Sequence, residues 1–225
     1  MGSNDRATLE NQGYVLIKKW KCGVSTAELA EMIGTIIDVE KVAAGYKIST
    51  VQTLVPRVAK QEKSNTYSDV FGLSEFPLHS DYAHWETPPR YLMLRCIEGS
   101  PKVDTYLLPT SRLLDGNNCC ISRAVVVPRR KHSSHPICTF PVVFSRQGIT
   151  GIRWDFLFLK PVNAAAAQTG ELVISQHNKS VDYANLVNPF DTLIIDNWRT
   201  LHGRSSVPAQ AINRRIERIY LSYIR

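Results

Sequence analysis

His79 and Asp81 are separated by one residue in the run Phe76-Pro77-Leu78-His79-Ser80-Asp81-Tyr82-Ala83-His84-Trp85. On an extended segment side chains alternate between faces, so an imidazole and a carboxylate at this spacing point the same way. One more imidazole from a distant part of the chain would complete a 2-His-1-carboxylate facial triad. That donor set holds Fe(II) and leaves positions open for a co-substrate and O2. An isolated His-x-Asp is common, so the reading depends on whether the chain supplies the missing parts.

Among the six histidines, His202 is the best-placed third ligand. It follows the apolar run Thr192-Leu193-Ile194-Ile195-Asp196 after the link Asn197-Trp198-Arg199-Thr200-Leu201, and it precedes Gly203-Arg204. The alternative is a histidine on a surface loop. His84 competes as a ligand, but the adjacent Trp85 favours a place in a pocket wall. His132 and His135 belong to a basic loop and read as solvated.

The C-terminal run Asn213-Arg214-Arg215-Ile216-Glu217-Arg218-Ile219-Tyr220 reads as a strand. Alternation puts Arg214, Ile216, Arg218 and Tyr220 on one face and Arg215, Glu217 and Ile219 on the other. If Ile216 and Ile219 are both buried between layers, one arginine pair faces inward. A buried guanidinium is costly without a partner. A dicarboxylate ligand would supply that partner through fork-to-fork hydrogen bonds. The alternative is a surface strand on which Arg215 and Glu217 are outward charges.

The elements that must position these groups follow from local patterning. Residues 13–18 read as a strand, and Ser25 with Glu28 three positions later is a capping box opening a helix. Leu29, Met32, Ile33, Ile36 and Ile37 then recur at helical spacing. Residues 56–75 are polar and irregular and read as a loop. From residue 76 the pattern is short strands between turns, at 90–97, 104–108, 124–127, 137–144, 149–157, 192–196 and 216–224, with one helix near 163–179. Such a sequence suggests a mainly β sandwich or barrel with flanking helices. One domain spanning 1–225 is expected, with residues 1–75 as an N-terminal strand and helix cap on a core of 76–225.

Composition narrows the function classes. At 225 residues, with 44% hydrophobic and 21% charged residues, the chain can bury a substantial core. No apolar run is long enough for a membrane span, and the N-terminus lacks the apolar region of a secretory signal. Five cysteines without a Cys-x-x-Cys pair argue against a disulfide framework or a thiolate zinc site, and point to the cytoplasm. The net charge of +7 invites a nucleic-acid partner. However, the densest cluster, Arg129-Arg130-Lys131-His132, has no aromatic residues for base stacking.

Taken in order, His79-x-Asp81, Pro88-Pro89, Asp104-Thr105, Asp196-Asn197-x-Arg199-x-x-His202-Gly203-Arg204, Arg214 and Arg218 resemble the taurine dioxygenase-like Fe(II)/2-oxoglutarate oxygenases, a group that includes the clavaminate synthase relatives. The resemblance spans residues 76–225. It implies a double-stranded β-helix (jelly-roll, cupin-like) core with His79, Asp81 and His202 as Fe(II) ligands. It implies that Arg214 anchors the distal carboxylate of 2-oxoglutarate, with Thr105 or Thr192 assisting. Arg218 would touch co-substrate or substrate, with Tyr82, His84 and Trp85 walling the substrate pocket and Arg153 as a candidate substrate contact. For Arg153 the structural alternative is an ion pair with Asp155. The implied activity is a dioxygenase using Fe(II), 2-oxoglutarate and O2 to hydroxylate an unactivated C–H of a small carboxylate-bearing or amino-acid-like substrate, releasing succinate and CO2. Because Asp81 is present, halogenation is not expected. Rival readings are an oxygenase acting on nucleic acid or a protein side chain, a non-catalytic jelly-roll binding module, and a zinc hydrolase using the same three ligands.

Overall fold

The computed structural model describes residues 1–42, 48–59, 66–114, 119–129 and 138–225. Helix α1 (Ser3–Gln12), which local patterning did not signal, ends on Gly13 at φ +82°, where the Gly13 N–H closes on the Leu9 carbonyl. Glycine takes this left-handed conformation without the clash a Cβ would cause. The turn delivers β1 (Tyr14–Ile17) where a strand was expected. Helix α2 (Thr26–Ile33) opens on the capping box, with Glu28 accepting the Ser25 N–H at 2.9 Å. Its buried face is Leu29, Ala30 and Ile33, while Met32 is 53% exposed. The helix does not continue to Ile37. Gly34, extended at φ −169°, starts β2 (Gly34–Ile36), which lies so close to the C-terminal strand that a Cβ there would strike the Tyr223 carbonyl oxygen.

The chain continues through α3 (Val39–Val42), β3 (Gln52–Leu54) and α4 (Tyr67–Phe71). Helix α4 lies in the stretch expected to be a loop; residues 60–65 of that stretch lie outside the described residues. Then follow β4 (Phe76–His79), β5 (Tyr91–Glu98), β6 (Asp104–Pro109), α5 (Ser111–Leu114), α6 (Cys119–Arg123), β7 (Val125–Pro128), β8 (Phe140–Pro141), β9 (Val143–Arg146) and β10 (Ile149–Ile152). The last elements are β11 (Leu159–Pro161), α7 (Ala164–Ser180), β12 (Asp182–Asn185), β13 (Thr192–Asp196), β14 (Thr200–Arg204) and β15 (Arg215–Ile224). The expected strand over 149–157 stops at Ile152, and the residues after it turn toward the site. His132 and His135 lie outside the described residues.

Two antiparallel sheets form the core. The larger runs β1-β13-β5-β15-β2, with β3 also paired to β15, and the smaller runs β12-β6-β14-β4. This is the mainly β, jelly-roll arrangement expected. The N-terminal segment is not a cap on it. Strands β1, β2 and β3 are hydrogen-bonded members of the larger sheet, because β13 and β15 would otherwise present unpaired edges. Leu92, Leu94, Leu107, Leu193, Ile195, Ile216 and Tyr220 pack between the sheets. Helices α1 and α2 cover the outer face of the larger sheet through Leu9, Leu29 and Ile33 against Met93, Ile194 and Ile219. Helix α7 covers the outer face of the smaller one, with Ala166 and Val173 in the cluster of Leu78, Leu108 and Leu201. Each fully buried Leu or Ile contributes about 1.5–3 kcal/mol relative to exposure. That driving force holds the polar groups between the sheets out of water. Among the described residues Cys22, Cys96, Cys120 and Cys138 are free thiols, and no helix is long and apolar enough to cross a membrane.

Candidate metal centre

Strands β4 and β14 are antiparallel neighbours, and their register sets His79 opposite His202. Alternation then sorts the side chains: Leu78 and Leu201 join the α7-side cluster, and the two imidazoles face the space between the sheets. The close approach of these strands needs Gly203, where an added Cβ would lie 2.6 Å from the Phe76 carbonyl oxygen. Asp81 follows β4 by two residues. One ligand atom from each of His79, Asp81 and His202 lies within 4.8 Å of the others. The His79 Nε2–Asp81 Oδ1 distance is 3.5 Å and the His202 Nε2–Asp81 Oδ2 distance is 3.8 Å. Donors on one ion at bond lengths of about 2.0–2.2 Å stand roughly 3 Å apart, so a single cation fits with small adjustments. The His79 Nδ1 sits 2.8 Å from the Pro77 carbonyl oxygen. That contact places the proton on Nδ1 and leaves Nε2 available to ligate a cation.

All three groups are buried, and their charges are set by one another. Burial opposes ionisation of Asp81, but Arg218, His79 and His202 outweigh it and hold the carboxyl far below the usual carboxylate range. Burial also works against a charge on His79, yet the hydrogen bond and charge of Asp81 raise its pKa. His202 is pushed down to about 3, first by burial and then by the nearby His79. A doubly cationic pair of imidazoles is thereby avoided, and His202 is a neutral nitrogen donor.

Strand β15 sends Arg218 and Tyr220 toward the same space, as alternation required, with Ile216 and Tyr220 in the inter-sheet core and Ile219 on the opposite face. Arg214, expected on the same strand face, lies one residue before the strand and ahead of a register shift between Arg215 and Ile216, and its charge acts on Cys96 of the inter-sheet core. Arg218 Nη1 donates to Asp81 Oδ2 at 3.2 Å, and its Nε and Nη2 donate to Gln52 Oε1 at 3.2 and 2.6 Å. The Tyr220 hydroxyl donates to Asp81 Oδ2 at 2.7 Å. Arg214 is buried, and among the described residues no hydrogen bond or ion pair reaches its Nε. Burial lowers its pKa to about 10, opposed only by Cys96, whose own thiol burial pushes up to about 11. Thr105 is also buried, and it alternates inward with Leu107 on β6.

Other expected site residues divide. The Tyr82 ring packs edge-on against Tyr220 at 5.1 Å and lies tilted against Trp85 at 4.1 Å. His84 lies 5.0 Å from the Phe158 ring, which neighbours Tyr67. These three border the centre. Arg153 does not reach it. Its guanidinium donates to the carbonyls of Ala83, Trp85 and Glu86 at 3.2, 2.6 and 3.0 Å, between the rings of Phe140 and Phe144. It clamps the loop after Asp81, and the expected alternative of an ion pair with Asp155 is not made either. Thr192 is also misplaced as a co-substrate contact. It shares parity with Ile194 on the helix-covered face, and its hydroxyl donates to the Phe190 carbonyl.

Several further residues adjoin this cluster without a local sequence signal that marks them. Tyr67 stacks on His79 with centroids 4.1 Å apart, and its hydroxyl donates to Asp155 Oδ1 at 3.0 Å. Asp155 also accepts the Leu157 and Phe158 N–H groups. Burial raises its carboxyl to about 6, with His79 pulling the other way. Gln52 and Tyr67 come from the N-terminal third, and no local pattern marks them. Asn197 and Tyr220 were visible in motif and strand face, but their partner Asp81 is more than a hundred residues away.

No family model matches the sequence. Solved structures do match over nearly the whole chain. An asparagine oxygenase in complex with Fe(II), 2S,3S-3-hydroxyasparagine and succinate superposes with a TM-score of 0.69 at 18% identity, covering 97% of this chain and 78% of that one. PvcB from Pseudomonas aeruginosa gives 0.66 at 18% identity, with 96% and 78% covered, and a second PvcB structure is described as an Fe, alpha-ketoglutarate dependent oxygenase. The non-heme iron oxygenase OrfP, in complex with Fe, succinate and (3S)-hydroxy-L-Arg, gives 0.58 at 16% identity, with 77% and 57% covered. The chain has the jelly-roll fold of these iron oxygenases. The sequence resemblance pointed to the same fold.

Proposed function

We propose that the protein is an Fe(II)- and 2-oxoglutarate-dependent dioxygenase that hydroxylates a small α-amino acid. The observation that carries this reading is Arg214. It is a buried guanidinium with no carboxylate partner among the described residues, one residue before the strand whose Arg218 and Tyr220 reach Asp81 of the His79–Asp81–His202 cluster. A chain keeps such a costly group where a ligand supplies the counter-charge. A zinc hydrolase would have no use for it.

In this reading His79, Asp81 and His202 hold the Fe(II), and Arg214 with Thr105 receives the distal carboxylate of 2-oxoglutarate. The bound iron and 2-oxoglutarate supply the O2-dependent oxidising chemistry. The chain's own residues set the geometry. Arg218 has five N–H donors, of which three are engaged with Asp81 and Gln52; the other two suit a substrate carboxylate. Asp155, close enough for its charge to act on His79, suits a substrate ammonium. Tyr82, Trp85, His84 and Tyr67 form an aromatic wall that keeps water from the reacting carbon. The structures of asparagine oxygenase and OrfP hold hydroxylated amino acids, which supports this substrate class.

Anaerobic titration with Fe(II) and 2-oxoglutarate, followed by the visible charge-transfer band, tests the assignment. The band should form in the parent, vanish in His202→Ala, and need far more 2-oxoglutarate in Arg214→Ala. Succinate release with a panel of amino acids then identifies the substrate. Absence of the band in the parent would sink the proposal.

A further inference from the structure

A carboxylate can give a metal ion one oxygen or two, and the choice decides how many positions stay open. Asp81 has its two oxygens in unequal surroundings. Each faces one imidazole, Oδ1 that of His79 at 3.5 Å and Oδ2 that of His202 at 3.8 Å, and the difference lies in the other donors. Oδ2 accepts the Tyr220 hydroxyl at 2.7 Å and Arg218 Nη1 at 3.2 Å. A carboxylate oxygen has about two lone-pair sites, so both sites on Oδ2 are taken while Oδ1 is free to ligate.

The two donors differ in permanence. The Arg218 side chain is 24% exposed, divides its donors between Asp81 and Gln52, and in the reading above turns toward a substrate carboxylate. Tyr220 is completely buried and packs among Leu92, Leu193 and Ile195, edge-on to Tyr82. Among the described residues its hydroxyl has no partner other than Asp81. Leaving Asp81 would strand that hydroxyl in an apolar core, which is unfavourable. Alternation along β15 puts Tyr220 two residues beyond Arg218 on the same face, so the strand that offers the exchangeable donor also carries the fixed one.

We infer that Tyr220 is a positioning residue: its hydroxyl occupies Asp81 Oδ2 and confines Asp81 to one-oxygen ligation through Oδ1, whether or not Arg218 stays in place. The inference rests on the proposed metal site. Its consequence is a centre with three protein donors and three open positions, enough for a chelating co-substrate and O2. Without the hydroxyl, the carboxylate is free to rotate and chelate, closing one of them.

Mn(II) is a suitable probe because it needs neither O2 nor turnover. The loss of the free-ion electron paramagnetic resonance signal gives its affinity. Line broadening in 17O-water counts the waters on the bound ion. In the parent we expect a His202-dependent site with three waters. In Tyr220→Phe, which keeps the ring packing, we expect affinity lower by about 10- to 100-fold and two waters. In Arg218→Ala three waters should remain. Parent affinity and three waters in Tyr220→Phe would overturn the inference and leave the proposed function standing. Two waters in Arg218→Ala would also overturn it, because the restraint would then belong to Arg218. This arm is informative even if Tyr220→Phe does not fold. A parent that fails to bind Mn(II), or binds it equally well in His202→Ala, would remove the metal site beneath both.

Discussion

Asn197 pairs with Asp81 as one strand pairs with another. Its Oδ1 accepts the Asp81 N–H at 2.8 Å, and its Nδ2 donates to the Asp81 carbonyl at 3.0 Å and to the Pro89 carbonyl at 2.8 Å. Asp81 has left β4 by this point, so no strand neighbour satisfies its peptide groups. The Asn197 side chain does so instead, and thereby ties Asp81 to the segment that leads into His202. Asn197→Ala would leave an N–H and two carbonyls buried without partners. We expect a loss of about 2–5 kcal/mol in urea unfolding, with Mn(II) affinity lower by about 10- to 100-fold at temperatures where the variant is fully folded. A variant that loses stability but binds Mn(II) like the parent would show the clamp to be structural only.

Arg214 gives a prediction in which stability and binding move in opposite directions. Burial lowers its pKa to about 10, which marks the charge as a burden on the ligand-free fold. Arg214→Met removes the charge and keeps much of the volume. The ligand-free variant should melt at a higher temperature than the parent, whereas adding 2-oxoglutarate to the Mn(II)-loaded proteins should raise the melting temperature further in the parent and much less in the variant. An equal ligand-induced shift in both proteins would take the anchor role away from Arg214.

Arg153 should behave as scaffold. Arg153→Lys keeps a charge but loses the fork that spans the Ala83, Trp85 and Glu86 carbonyls. We expect a loss of about 1.5–3 kcal/mol, the range for hydrogen bonds to a charged group, without a matching change in 2-oxoglutarate affinity for the folded protein. Unchanged stability, with weakened binding of the amino-acid substrate, would restore Arg153 as a substrate contact.

Asp155 makes stability depend on pH in the metal-free protein. Its carboxyl is raised from the ordinary 3.8 to about 6, chiefly by burial. Between those values the folded chain holds a proton that the unfolded chain has released, so stability falls as pH rises through the window from about 4 to 6 and then levels off. A shift of about two units corresponds to at most about 3 kcal/mol. Asp155→Asn can still accept the Leu157 and Phe158 N–H groups but cannot titrate. The stability difference between parent and variant should therefore move against the parent across that window. A difference that is flat from pH 4 to 7 would show that Asp155 ionises normally.

Local periodicity was enough to place Arg218 and Tyr220 on one strand face, because alternation is a property of the extended backbone itself; Asp81 lies in the turn after β4 and Arg214 just before β15, so the tertiary contacts around them decide where those two side chains sit. The α2 cap and the strands β5, β13 and β15 were legible for the same reason: their signals lie within a few residues. The tertiary structure decided what each of those faces meets. Thr192 and Leu193 are equally strand-like, and only the packing of α1 and α2 on one side of the sheet turns Thr192 away from the site. Arg153 and Arg218 are both arginines on short irregular or extended segments. The aromatic rings and carbonyls around one make it a clamp, and Asp81 and Gln52 make the other part of the centre. The roles of Tyr220, Asn197, Gln52 and Tyr67 depend on contacts between residues far apart in sequence, and the burial of the two sheets against each other sets those contacts. Local propensity carries no information about such pairings, whereas the shared core fixes them.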